Sequence, residues 1–329
     1  MSLAGGLREL LRPPPHRGPL IAAGGAALGV GVSTTVLRLG DRASAGVDLV
    51  LLLLAGGLLF FLGAQAPNEG GKPPAYQSVL LGTGLPLLFA GLLVTAGVLG
   101  ADFDGGLSSG ALMWTSAVIG GLALWPAFAR NSAISLLLAA IAVGVALLSG
   151  WAWLFDAQSA APYRWLMAAY AAGLVLCSLA LREPARRHAE VLTDAAGLAI
   201  AVIGVSGLSF SLGIVVFGGD SGLPWIWDTV LLGAGFGLVA FGALDRSPGP
   251  AYLGVVNLLL FIVVVGNSAD ETLFWWPLIL LAGGVAMLVA GLRPRSPLPP
   301  EPAPYRAGEA PLAARAEDED IVVRVRDDS

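Results

Sequence analysis

The sequence predicts an all-α integral membrane protein, a bundle of about ten transmembrane helices with both termini in the cytoplasm. Composition carries the first part of this. Of 329 residues, 56% are hydrophobic and only 12% charged, with a mean hydropathy of +0.78; a soluble domain carries about twice that share of charge. Segment length carries the second. Val47 to Gln65 holds a single charge, Asp48 at its edge, and nineteen helical residues reach roughly 28 Å, close to the ~30 Å hydrocarbon core. A helix satisfies its own backbone polar groups, which lets it cross lipid. The third is the alternation of arginine with acid and tryptophan along the connections, taken up below.

Residues 1–19 form a basic amphipathic segment, with Arg8, Arg12 and Arg17 and with Leu3, Leu7, Leu10 and Leu11 on one face, ended by Pro13–Pro15. It reads as a leader that sets orientation, or else as an interfacial anchor. The first span, about 20–37, is rich in Gly and Ala. Ala43-Ser44-Ala45 resembles a signal-peptidase site, but the apolar run exceeds a usual signal core, and Arg38, Asp41 and Arg42 intervene. The segment is therefore kept as a span. Further spans fall near 47–65, 78–100, 111–129, 132–155, 162–182, 191–217, 225–244, 251–267 and 273–291, giving a polytopic domain over 20–292. Residues 293–329 are Pro-rich and then acidic, a composition that cannot bury a core, so a disordered cytoplasmic tail is expected. The alternation in Ile321–Arg326 could add a strand to a partner's sheet edge.

With the N-terminus inside, the inner connections receive Lys72, Arg130, Arg182, Arg186, Arg187, Arg246, Arg293 and Arg295, and the outer ones only Arg38, Arg42 and Arg164. This is the positive-inside bias. The outer loops carry Asp41, Asp102, Asp104, Asp156, Asp220, Asp270 and Glu271, and eight of nine tryptophans fall at outer helix ends, Trp125 being the exception. Arginine outnumbers lysine 17 to 1, which we take as a high-GC bacterial coding bias; the bacterial inner membrane is the expected location.

Span 2 has an echo in span 8. Aligning Asp48 with Asp228 gives seven identities in seventeen positions, and Pro74-Ala75-Tyr76 recurs as Pro250-Ala251-Tyr252. Spans 2–4 and 8–10 thus read as a parallel repeat, one of the ways transporters are built; chance matching of Leu/Gly-rich helices is the competing explanation.

Intramembrane chemistry usually announces itself through ionisable residues at mid-depth, and no Glu, Lys, Arg or His is central to a span. His16 and His188 lie in cytoplasmic segments, and Cys177 is the one cysteine, so no haem, metal site or disulfide framework is expected. Asp102–Gly106 opens like a calcium loop but lacks the later acid. The net charge of −5 argues against nucleic-acid binding, which needs a basic face. No enzyme and no cofactor is expected. The remaining polar features are Thr83 and Pro86, where Gly82–Pro86 is expected to break span 3, Ser206 and Ser209 in span 7, and Asn257 in span 9. These are candidate contacts for a neutral solute at a broken helix. They read more simply as ordinary helix–helix bonds.

Ten spans in about 300 residues, ends inside, resemble the layout of the drug/metabolite transporter superfamily. The resemblance is one of helix count and topology without a sequence motif, and the repeat here reads as parallel where an odd-numbered half would be inverted. It implies a small-molecule permease or exporter for a neutral or weakly charged solute. The scarcity of mid-membrane polar groups points instead to a non-enzymatic scaffold or accessory subunit, touching membrane lipids and a protein partner through the tail.

Overall fold

The computed structural model describes residues 18–39, 44–66, 73–101, 108–155, 159–206, 223–245, 247–267 and 276–292. Among them are ten helices: α1 Gly18–Leu39, α2 Ala45–Gln65, α3 Ala75–Val98, α4 Ser109–Ala129, α5 Ala133–Phe155, α6 Ala161–Leu181, α7 Arg186–Val205, α8 Trp225–Asp245, α9 Pro248–Asn267 and α10 Trp276–Leu292. Nine are long and apolar enough to cross a membrane. This is a multi-pass membrane protein. The tenth helix, α10, has 17 residues and reaches about 25 Å. The basic segment 1–17, Lys72, Asp41, Arg42, Asp102, Asp104, Asp156, Ser209, Asp220, Arg246, Asp270, Glu271 and the tail 293–329 lie outside the described residues.

The chain divides into two compact units, Met1–Phe274 with α1–α9 and Trp275–Ser329 with α10. In the first, consecutive helices pair tightly as antiparallel hairpins, α2 with α3, α4 with α5, α6 with α7 and α8 with α9. The odd-numbered helices also pack on one another in sequence order, from α1 to α9. The unit is therefore a row of hairpins, each leaning on its neighbours. Most central is α7, of which 56% of a span-length window is buried, against 17% for α1.

Lipid tails are as apolar as leucine, so what holds such helices together is close packing and interhelical hydrogen bonds. The core shows both. Ala127, Ala140, Ala171, Ala195 and Ala199 line one buried cluster over α4–α7. In the α2–α3 hairpin Gly56 meets Gly84: a Cβ on Gly84 would lie 2.8 Å from the Phe60 backbone nitrogen. In α8–α9 a Cβ on Gly254 would lie 2.6 Å from the Gly235 carbonyl oxygen. Only a hydrogen side chain permits backbones to touch there. These crossings do not coincide in the echo: where Asp48 aligns with Asp228, Gly56 aligns with Phe236.

Two expectations need correction. Span 3 is not broken: α3 is helical through Pro86. Proline costs one backbone bond and crowds the carbonyl four residues earlier, here that of Gly82, and helices in lipid tolerate this where neighbours compensate. Span 7 begins at Arg186 rather than 191, and its described helix ends at Val205. Its early charges are accommodated because Arg186 pairs with Glu190 (3.3 Å) and Asp245 (3.4 Å). His188, expected beside arginines in the connection before span 7, lies within α7. It is buried and donates through Nε2 to the Ala127 carbonyl at 3.2 Å, tying α7 to the end of α4.

Candidate functional site

The residues singled out as solute contacts do not assemble into one site. Thr83 and Pro86 line a cavity of about 600 Å³ between α1, α2 and α3, together with Ser33 and Thr34. The Thr83 hydroxyl is already committed to the Val79 carbonyl at 2.8 Å. Asn257 is fully buried and fastens α9 to α7, donating through Nδ2 to the Gly197 carbonyl at 3.2 Å and to Leu253 of its own helix at 2.9 Å. Ser206 caps the end of α7, its hydroxyl donating to the Ile203 carbonyl at 2.6 Å. Ser209 falls outside the described residues.

Polar groups the sequence did not flag converge instead on α6, α7 and α8. At one end Arg164, buried in the first turn of α6, sends Nε to the Ser206 hydroxyl at 3.1 Å and a terminal nitrogen to the Ser206 carbonyl at 3.4 Å. A guanidinium there meets the negative end of the α7 dipole. Nearby, Trp165 of α6 packs edge-on against Trp227 of α8, ring centroids 4.8 Å apart. The adjacent Asp228 is 4% exposed, its Oδ1 buried without a hydrogen-bonding partner among the described residues. Arg164 had been counted among the few arginines of the outer connections; it lies in the first turn of α6 and is buried.

At the opposite end of the same helices, Arg182 and Arg186 share Asp245 at 2.9 and 3.4 Å. Arg186 also donates to the Asp245 carbonyl at 2.8 Å. Arg182 stands over the Phe241 ring, 5.6 Å from its centroid, a cation–π contact. Arg130, Arg187 and His188 belong to the same end, since His188 bonds the last turn of α4. Arg182, Arg186, Arg187 and Arg130 thus gather at one end of these helices, and Trp165 and Trp227, with Arg164 among them, at the other.

Between these ends lies a crevice of about 430 Å³, walled by Ala171, Ala172, Val175, Ala196, Gly197, Ala234, Gly237 and Phe241 among others. Its polar atoms are the hydroxyls of Ser178 and Thr193. These are 2.8 Å apart and both reach the Ala189 carbonyl, at 2.7 and 3.1 Å. Two hydroxyl protons shared between one carbonyl and each other leave no donor for a polar solute. The crevice opens sideways, where Val175 and Leu179 are exposed and a Cβ on Gly237 would meet nothing within 4 Å. Its walls are mostly apolar, and Arg182 with its ion pairs stands at one mouth beside Phe241.

Two smaller cavities, of about 300 and 170 Å³, lie between α5, α6 and α7 and between α3, α4 and α5. Ser116 in the latter has a buried hydroxyl oxygen with no partner among the described residues. Among the described residues no three of His, Cys, Asp or Glu gather as a metal set. Set against known protein families, characterised proteins and solved structures, the chain matches none of them.

Proposed function

We propose that this chain is a non-enzymatic scaffold or accessory subunit of the bacterial inner membrane, with both termini cytoplasmic. The single observation that carries this is the packing pattern. The helices of the first unit lean on one another in a row, and the cavities between them have largely apolar walls, with Ser33, Thr34, Thr83 and Ser116 among the few polar side chains that line them. A permease needs a polar path between two halves; here Thr83, Thr95, Thr115, Ser178, Thr193, Ser206 and Asn257 spend their donors on backbone carbonyls. The cytoplasmic tail 293–329 is the proposed protein contact. One observation favours the permease reading instead, the 600 Å³ cavity beside Thr83 and Pro86.

The test is a solute uptake and resistance screen on a deletion strain, with the tail used as bait in parallel. The scaffold reading expects unchanged uptake and a partner captured by the whole chain but not by a chain ending at Leu292. A reproducible uptake defect for one solute, restored by the whole chain, would replace it with the permease.

Orientation has its own test. Ser159 and Glu183 are exposed and flank opposite ends of α6. In a Cys177→Ala background, an impermeant thiol reagent on intact cells is expected to label Ser159→Cys and to spare Glu183→Cys until the membrane is opened. Labelling of Glu183→Cys from outside means the topology is inverted.

A further inference from the structure

We propose that the crevice between α6, α7 and α8 holds one phospholipid with an ethanolamine headgroup, an acyl chain along the groove and the headgroup on the charged cluster at its mouth. The claim goes beyond the scaffold reading and does not depend on it.

Length is the first argument. On α6 the groove runs from Ala168 to Leu179, an axial distance of roughly 16 Å, which is about half the thickness of a bilayer's hydrocarbon core. The groove is therefore as deep as one leaflet. Its walls are apolar apart from the Ser178–Thr193 pair, whose protons are already committed, so the groove suits an acyl chain better than a polar solute. The open flank at Val175, Leu179 and Gly237 faces sideways, the direction from which a lipid tail arrives.

The mouth supplies the second argument. Phe241 lines the groove, and Arg182 sits over its ring, so the guanidinium marks where the apolar slot ends. Around it the side chains of Arg182 and Arg186 are 49% and 61% exposed, and those of Asp245 and Glu190 are 11% and 33% exposed. Two cations are thus matched by two carboxylates within one ion-pair chain. Arg187 and Glu183, both exposed, add one more of each sign. An anionic headgroup would meet Asp245 and Glu190 as well as the arginines. A phosphate diester with a primary ammonium matches both: the phosphate takes unused guanidinium N–H groups, and the ammonium donates to Glu190. A trimethylammonium has no N–H to donate, so choline fits less well.

The full chain, purified in mild detergent and equilibrated with equal amounts of dioleoyl phosphatidylethanolamine, phosphatidylglycerol and phosphatidylcholine, would be read by native mass spectrometry. A single phosphatidylethanolamine is expected to be retained, enriched about fivefold over each competitor, the worth of one exposed charged contact. Gly237→Phe, which fills the open flank, should lower retention by about fivefold or more. Gly233→Phe provides the control, because it lies on the same helix with the same free space but outside the groove, and should leave retention unchanged. Arg182→Gln should erase the preference among the three lipids. Equal retention of all three by the natural chain, a preference for phosphatidylglycerol or phosphatidylcholine, or identical behaviour of Gly237→Phe and Gly233→Phe would each overturn the proposal.

Discussion

Gly84→Val is expected to drive α2 and α3 apart and to destabilise the protein by about 3 kcal/mol, the upper range for overpacking a tight contact. The new Cβ would stand 2.8 Å from the Phe60 nitrogen and 3.1 Å from the Gly56 carbonyl. Both are backbone atoms of a regular helix and cannot rotate away as a side-chain tip would. Gly254→Val should behave alike, its Cβ falling 2.6 Å from the Gly235 carbonyl and 2.7 Å from the Val239 nitrogen. Gly57→Val is the matched control, since nothing lies within 4 Å of its Cβ; a shift within about 0.5 kcal/mol is expected, as for surface substitutions. Unfolding in mixed micelles, followed by helical circular dichroism, measures all three. Should Gly84→Val and Gly57→Val unfold together, the close crossing of α2 and α3 is wrong.

Arg164→Ala is expected to cost about 2–3 kcal/mol, in line with the loss of hydrogen bonds to a charged group and of a cation at a helix C-terminus. The guanidinium holds both the hydroxyl and the carbonyl of Ser206, and truncation leaves that carbonyl unpaired at a partly buried helix end. Arg164→Lys should rescue only in part, because an ammonium cannot present the planar fork. Ser206→Ala should cost about 1 kcal/mol, and the double variant less than the sum, the mark of a shared contact. The same unfolding assay reads the cycle. If Arg164→Ala falls within about 0.5 kcal/mol of the natural chain, Arg164 is a solvated loop charge after all.

Arg164 also illustrates what was legible in the chain and what was not. Its position next to an expected span boundary, with Trp165 beside it, reads as an interfacial charge, and no periodicity distinguishes a charge that faces water from one that folds back onto a neighbouring helix. Ser178 and Thr193 were missed for a related reason. Each is a single hydroxyl in an apolar stretch, and they become a pair only because α6 and α7 are antiparallel partners that meet at Ala189. Asp228 was noticed for its match to Asp48, but its burial depends on how α8 packs. Pro86 misled in the other direction, since glycines and a proline in a row suggest a break that helix packing in lipid removes.

The sequence by itself determined the solvent and the count of apolar segments. Hydrocarbon accepts only runs of apolar residues of bilayer length, and charges must collect at their ends, so both properties are local and additive along the chain. Among the described residues ten helices stand where ten spans were expected, nine of them long and apolar enough to cross a membrane. Only the tertiary structure decided that glycines touch across α2–α3 and α8–α9, that Asn257 and Arg164 serve helix ends and seams, and that an apolar crevice with the Arg182–Asp245–Arg186 ion pairs near one mouth runs between α6, α7 and α8. These depend on which faces of apolar helices meet. Where every face is apolar, side-chain hydrophobicity carries no record of that choice, and shape and a few hydrogen bonds make it.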